Sequence, residues 1–169
     1  MTGPRSSALV AGLCASGLRV EAAPSREDAV RSADIVCATT HADQPVVCRE
    51  WLRPGAHVNS VGYNTAGAGE IDAATIADAL VVVELRDAAP APPPAGADEL
   101  RRAIEHGVIS AEHVYAELGE LVAGTAKGRT LDSQVTVYKS VGVAVQDAAA
   151  AALILDAANR NPVGVDVPM

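Results

Sequence analysis

The sequence has no phenylalanine, and aromatic residues fill only 2% of its 169 positions. A core must therefore be built from alanine, valine, leucine and isoleucine, with one tryptophan and three tyrosines to help. Basic residues are also sparse. Thirteen of them face 21 acidic residues, for a net charge of −8, and no basic run occurs. That argues against a nucleic acid or an anionic membrane as partner, because both call for clustered Lys and Arg. No apolar stretch reaches the ~18 residues of a spanning helix. The apolar run in the opening MTGPRSSALVAGLCASG is too short for a signal peptide, so a cytoplasmic chain is expected. Cysteine is limited to Cys14, Cys37 and Cys48, whose spacing fits no zinc motif, and the four histidines do not cluster. Buried free thiols and no metal site are the expectation. Neither GxGxxG nor GxGxxA occurs, so a dinucleotide fingerprint is missing as well.

What is present alternates between helical and extended patterns. Ser6 to Ser16 reads as a helix stopped by Gly17, and Leu18 to Ala22 as a short strand. Ser25 can cap a helix over 26–32, with Asp28 at the capping-box position. Asp34 to Thr40 and Leu80 to Glu84 are mostly apolar runs, the pattern of strands covered on both faces. Between them Ala56 to Val61 alternates, and Asp72 can cap a helix through Ala79. Ala88 to Asp98 reads as an exposed, polyproline-like loop. Helices are predicted over Glu99 to His106 and Ser110 to Ala123, then a turn, a last strand over Gln134 to Tyr138, and an Ala-rich helix from Val143 to Asn159.

Strands alternating with helices predict a parallel α/β sheet, and ligands of such sheets sit outside the carboxyl ends of the strands. The segments to search are therefore 39–43, 62–70, 84–87 and 139–142. Thr39, Thr40 and His41 are small or polar and suit a sugar or phosphate, but also an ordinary turn. Gly62, Gly67 and Gly69 let backbone approach a flat ligand or simply turn sharply. Lys139-Ser140-Val141-Gly142 opens the last helix, either as a site for an electron-rich group or as a plain cap.

Taken in order, several segments resemble the ornithine cyclodeaminase/mu-crystallin family. They are SADIVCATT (32–40), WLRPGAHVNSVG (51–62), the loop ending GEID (69–72), LVVVE (80–84), ELGELVAGTAKGR (117–129) and VTVYKSVGVAVQDAAAAALI (135–154). The resemblance runs from about Ala22 to Asn159. It implies an α/β fold: an incomplete Rossmann-like, doubly wound, mainly parallel sheet over residues 1–142. Residues 143–169 would be a long C-terminal helix and tail, the remnant of a substrate and dimerisation domain.

It further implies the C-terminal portion of an NAD(P)-dependent oxidoreductase, an imine or keto-acid reductase or an amino-acid dehydrogenase. The substrate class is a small amino acid, imine or keto acid, and the cofactor NAD or NADP. Thr39, Thr40 and His41 would line the nicotinamide ribose. Val61, Gly62 and Tyr63 would pack along the nicotinamide, and Ser140, Val141 and Gly142 would close its far side. Asn64 stands where the family carries a proton-relaying aspartate, and Ala68 where it carries a lysine. An amide cannot accept and return a proton, so cyclisation of ornithine loses support, while a reductase can draw its proton from water or substrate. The family's glycine-rich turn and first domain have no counterpart in these residues. This chain alone is therefore expected to bind the cofactor weakly or not at all. A truncated inactive paralogue, an enzyme completed by another polypeptide, and an ornithine cyclodeaminase stand as alternatives. The final helix, apolar on most faces, predicts a homo-oligomer formed through Ala148 to Ala158.

Overall fold

The computed structural model describes residues 4–62, 69–92, 95–161 and 163–165. Helix α1 (Pro4–Ala15) ends at Gly17, whose φ of 85° suits glycine. Helix α2 (Arg26–Arg31) starts at Ser25, whose hydroxyl accepts the Asp28 N–H at 3.0 Å and donates to the Asp28 carboxylate at 2.7 Å. Strand β1 (Ile35–Ala38) and strand β2 (His57–Ser60) follow. Helix α3 (Ala73–Asp78) is capped by Asp72, which accepts the Thr75 N–H at 2.9 Å. Then come β3 (Leu80–Val83), α4 (Asp98–Glu105), β4 (Val114–Glu117), α5 (Leu118–Ala123), β5 (Thr136–Lys139) and α6 (Ala144–Arg160).

The five strands form one parallel sheet in the order β1-β2-β5-β3-β4. Their last residues lie level, Ala38 beside Ser60, Ser60 beside Lys139, Lys139 beside Val83 and Val83 beside Glu117. All carboxyl ends therefore open onto one rim. The core is aliphatic: Val58, Val81, Val83, Val137, Ile76 and Leu100 are essentially inaccessible, and Trp51 packs against them from the edge.

Several expectations need correction. Leu18 to Ala22 forms no strand, because no neighbouring strand supplies ladder partners and Leu18 stays exposed. The segment expected to be one helix over 110–123 is a 3-10 turn (Ala111–His113), strand β4 and helix α5. Val114 and Ala116 turn inward at a two-residue period, and Glu117 with Glu120 makes a capping box that restarts the helix. Strand β3 is buried along most of its length, as expected, but β1 is not. Ile35 is 64% exposed, since β1 is the outer strand and no described element covers that face.

The alanine- and proline-rich loop is exposed at Pro92 and Ala95, as expected, but not at its two ends. The Ala97 N–H donates to the Ala89 carbonyl at 2.8 Å, and both residues are buried. At Gly96 a Cβ would lie 2.3 Å from the Ala91 carbonyl oxygen, so small residues allow the loop to close on itself. Cys14 and Cys37 are exposed and Cys48 half-buried, so the thiols are not core residues; Cys37 lies on the open face of β1. No helix among the described residues is long and apolar enough to cross a membrane.

Candidate functional site at the carboxyl rim

Parallel strands leave their last carbonyls and the following N–H groups pointing at one rim, where polar side chains must satisfy them. Carboxylates from loops do so here. Glu70, buried and only 1% accessible, accepts the Thr40 N–H just past β1, the Gly62 N–H at 2.7 Å just past β2, and the Ser60 hydroxyl at 3.0 Å. Burial pushes its carboxyl up, but the donors from Thr40, Gly62 and Ser60 outweigh that and hold it below its ordinary value.

Glu84 closes the other half of the rim. It follows β3 and accepts the Ser140 hydroxyl, the Val141 N–H at 3.1 Å and the Gly142 N–H at 3.3 Å, all in the turn between β5 and α6. Its carboxyl is also held low: desolvation is overcome mainly by the Ser140 hydroxyl and the Val141 amide. Between these two stands Lys139 on the central strand. Its ammonium donates to the Ser60 hydroxyl at 3.2 Å and the Gly62 carbonyl at 3.0 Å. Glu99 Oε1 of α4 lies 3.0 Å away, a charge contact without the alignment of a hydrogen bond.

Two glycines make this packing possible. A Cβ on Gly62 would sit 2.1 Å from the Thr40 carbonyl and 2.2 Å from the Glu70 carboxyl. Gly69 has a φ of 88°, and its Cβ would meet Glu99 at under 3 Å.

Val61, Gly62, Ser140 and Val141 come together around a narrow recess of about 30 Å³, with Gly96, Ala97, Asp98, Glu99 and Lys139 completing its walls. Gly142 stands beside it at the start of α6 with a φ of 76°. Thr40 is tied to the same corner through Glu70, and its hydroxyl accepts the Ala42 N–H at 3.2 Å. Thr39 and His41 precede and follow it without lining the recess. Tyr63 and Asn64 lie outside the described residues, as does Ala68. Half-exposed Val61 and part-buried Val141 contribute apolar surface to the lining of the recess. No glycine-rich turn opening a helix follows a strand among the described residues, so those residues offer no such cradle for a dinucleotide pyrophosphate.

Sequence reasoning placed the loops but missed the groups that hold them. An acid directly after an apolar strand (Glu84), an acid after a glycine loop (Glu70) and a lysine at a strand end (Lys139) were the available signals. Each reads equally well as a solvated charge.

The model of the ornithine cyclodeaminase/mu-crystallin family matches residues 3–161. An alanine dehydrogenase of Archaeoglobus fulgidus is 34% identical over 88% of this chain and 44% of its own length. The structure of the Δ1-pyrroline-2-carboxylate reductase of Thermococcus litoralis, in complex with NADH and L-proline, superposes with a TM-score of 0.82 and 31% identity. That match covers 98% of this chain and 50% of the other. An archaeal alanine dehydrogenase dimer with bound NAD gives a TM-score of 0.79 at 30% identity, over 97% of this chain and 49% of that one. The chain thus spans about half the length of the relatives it matches.

Proposed function

Because the chain belongs to the ornithine cyclodeaminase/mu-crystallin family, we propose that it forms the nicotinamide-facing part of an NAD(P)-dependent reductase of small imine or keto acids, or of an amino-acid dehydrogenase. The observation that carries the reading is the meeting of Val61, Gly62, Ser140 and Val141 at the carboxyl rim of a parallel sheet. A relative of the same fold holds NADH and L-proline, and another holds NAD.

In this reading Val61 and Gly62 form one wall against the ring, and Ser140, Val141 and Gly142 the other. Thr39, Thr40 and His41 lie toward the ribose. The cofactor, when bound, supplies the hydride, and the protein supplies orientation and a dry surface. Asn64 can hydrogen-bond a carboxylate or carboxamide but cannot carry a proton to and fro, so the reductive direction is favoured over cyclising deamination. Residues 1–142 act as the partial cofactor domain and 143–169, the C-terminal helix and tail, as the remnant of a substrate and dimerisation domain. Self-association runs through Ala148 to Ala158.

Two assays test this. NADH titrated into the 169-residue chain is expected to bind weakly, because the sequence has no GxGxxG or GxGxxA and no phosphate-cradling turn occurs among the described residues. A low-micromolar dissociation constant, about −8 kcal/mol, would overturn that expectation. The longer protein carrying these residues is expected to oxidise NADH or NADPH with an imine or keto acid. Stoichiometric proline and ammonia from ornithine and NAD would instead make it a cyclodeaminase.

A further inference from the structure

The rim is held by two separate carboxylates, one for each wall of the recess. We infer that Glu70 and Glu84 are a pair of positioning residues: Glu70 locks the loops after β1 and β2 together, and Glu84 locks the turn after β5 to the end of β3. Each wall is thereby anchored to its outer neighbour before any ligand arrives, while the Ser140 N–H on the Ser60 carbonyl at 2.9 Å and the Lys139 ammonium on the Gly62 carbonyl at 3.0 Å tie the two walls to each other. The inference rests on the cofactor reading above only in what the recess receives.

The geometry gives each carboxylate a distinct set of donors. Glu70 takes the N–H groups of Thr40 and Gly62 and the Ser60 hydroxyl. Glu84 takes the Ser140 hydroxyl and the N–H groups of Val141 and Gly142. No donor is shared. Each set includes residues that line the recess, Gly62 for Glu70 and Ser140 and Val141 for Glu84, and neither carboxylate lines it. They act through the backbone they hold, as positioning residues do. An ionised carboxylate is an acceptor at both oxygens, whereas an amide presents one acceptor and one donor. Glutamine at either position must therefore turn an N–H toward an N–H or lose one loop, at nearly constant volume. Lys139 and Glu99 separate the two clamps and keep their charge contact in either variant.

The test uses Glu70→Gln and Glu84→Gln in the whole chain, with amide hydrogen exchange and amide proton shifts as readouts. In Glu70→Gln the amides of Thr40 and Gly62 are expected to exchange at least about tenfold faster, while those of Val141, Gly142 and β3 keep their protection. In Glu84→Gln the pattern reverses. In the unsubstituted chain the Thr40 and Gly62 amide protons should titrate together with one carboxyl, and those of Val141 and Gly142 with another. Both titrations vanish in the matching variant. Added NADH at millimolar concentration should shift Gly62 and Val141 in the unsubstituted chain, and much less in either variant, while ADP-ribose, which lacks the nicotinamide, behaves alike in all three. Loss of protection throughout the sheet, protection unchanged, or both segments opening in both variants would overturn the inference. No oxidation of NADH or NADPH with an imine or keto acid by the longer protein carrying these residues, with the exchange pattern intact, would overturn the cofactor reading and leave the two clamps standing.

Discussion

Lys139 is the largest side chain in the fully buried set, and an ammonium can occupy such a place only with compensation. Ser60, the Gly62 carbonyl and Glu99 provide it. Lys139→Met is expected to cost about 3–5 kcal/mol, because Glu99 is left as an uncompensated charge. Adding Glu99→Leu should restore more than half of that loss, since removing both charges is far cheaper than removing one. Urea unfolding of the two single variants and the double variant checks this; a double variant no more stable than Lys139→Met would deny the coupling. The acid limb of stability is set nearby. Glu70 and Glu84 both have lowered carboxyl values in the folded chain, so the unfolded chain binds more protons as the pH falls past the ordinary 4.5. Their stabilisation is complete above that value and is lost as the pH falls through the folded values. Unfolding measured from about pH 6 to pH 3 should show Glu70→Gln with a shallower decline than the unsubstituted chain.

Helix α6 runs for 17 residues with none of them buried. Val145, Leu153, Ile154 and Leu155 are each more than 60% exposed, a surface of the kind that marks association. Leu153→Lys should therefore raise the monomer fraction in sedimentation, and a monodisperse monomer with either residue would exclude this helix as the contact. The helix itself was legible in the sequence to within a residue at each end, because seventeen alanine-rich positions leave little else to form. So were the caps at Ser25 and Asp72, where a side-chain oxygen sits directly before the helix it serves. Strand β4 was not legible. Val114-Tyr115-Ala116-Glu117 is too short for its alternation to outweigh helix-compatible neighbours, and only pairing with β3 selects the extended form. The expectation of an exposed loop over 88–98 failed at buried Ala89, Gly96, Ala97 and Asp98 for a related reason. Alanine and proline signal an exposed coil locally, whereas the Ala97 to Ala89 hydrogen bond depends on a return of the chain. At the rim the loop positions could be read from strand ends, but the pairing of Glu70 with Thr40, thirty residues away, could not.

At the scale of the whole molecule, the strand order carries a consequence for how the chain reaches its fold. β5 is last in sequence yet lies in the centre, between β2 and β3. The first four strands can form only two separate pairs, β1 with β2 and β3 with β4, each with an inner edge bare of partners. A bare strand edge is a template for pairing with another chain. During synthesis that state lasts until residue 139 is free, so the nascent chain is most open to misassociation just before its central strand arrives. A chain ending at residue 133 should accordingly fail to unfold as one cooperative unit and should aggregate on refolding, while one ending at residue 143 should regain a single transition. Light scattering beside far-ultraviolet circular dichroism separates the two outcomes. A cooperative, soluble 133-residue form would mean that the two halves hold together through their helices before the keystone strand is in place.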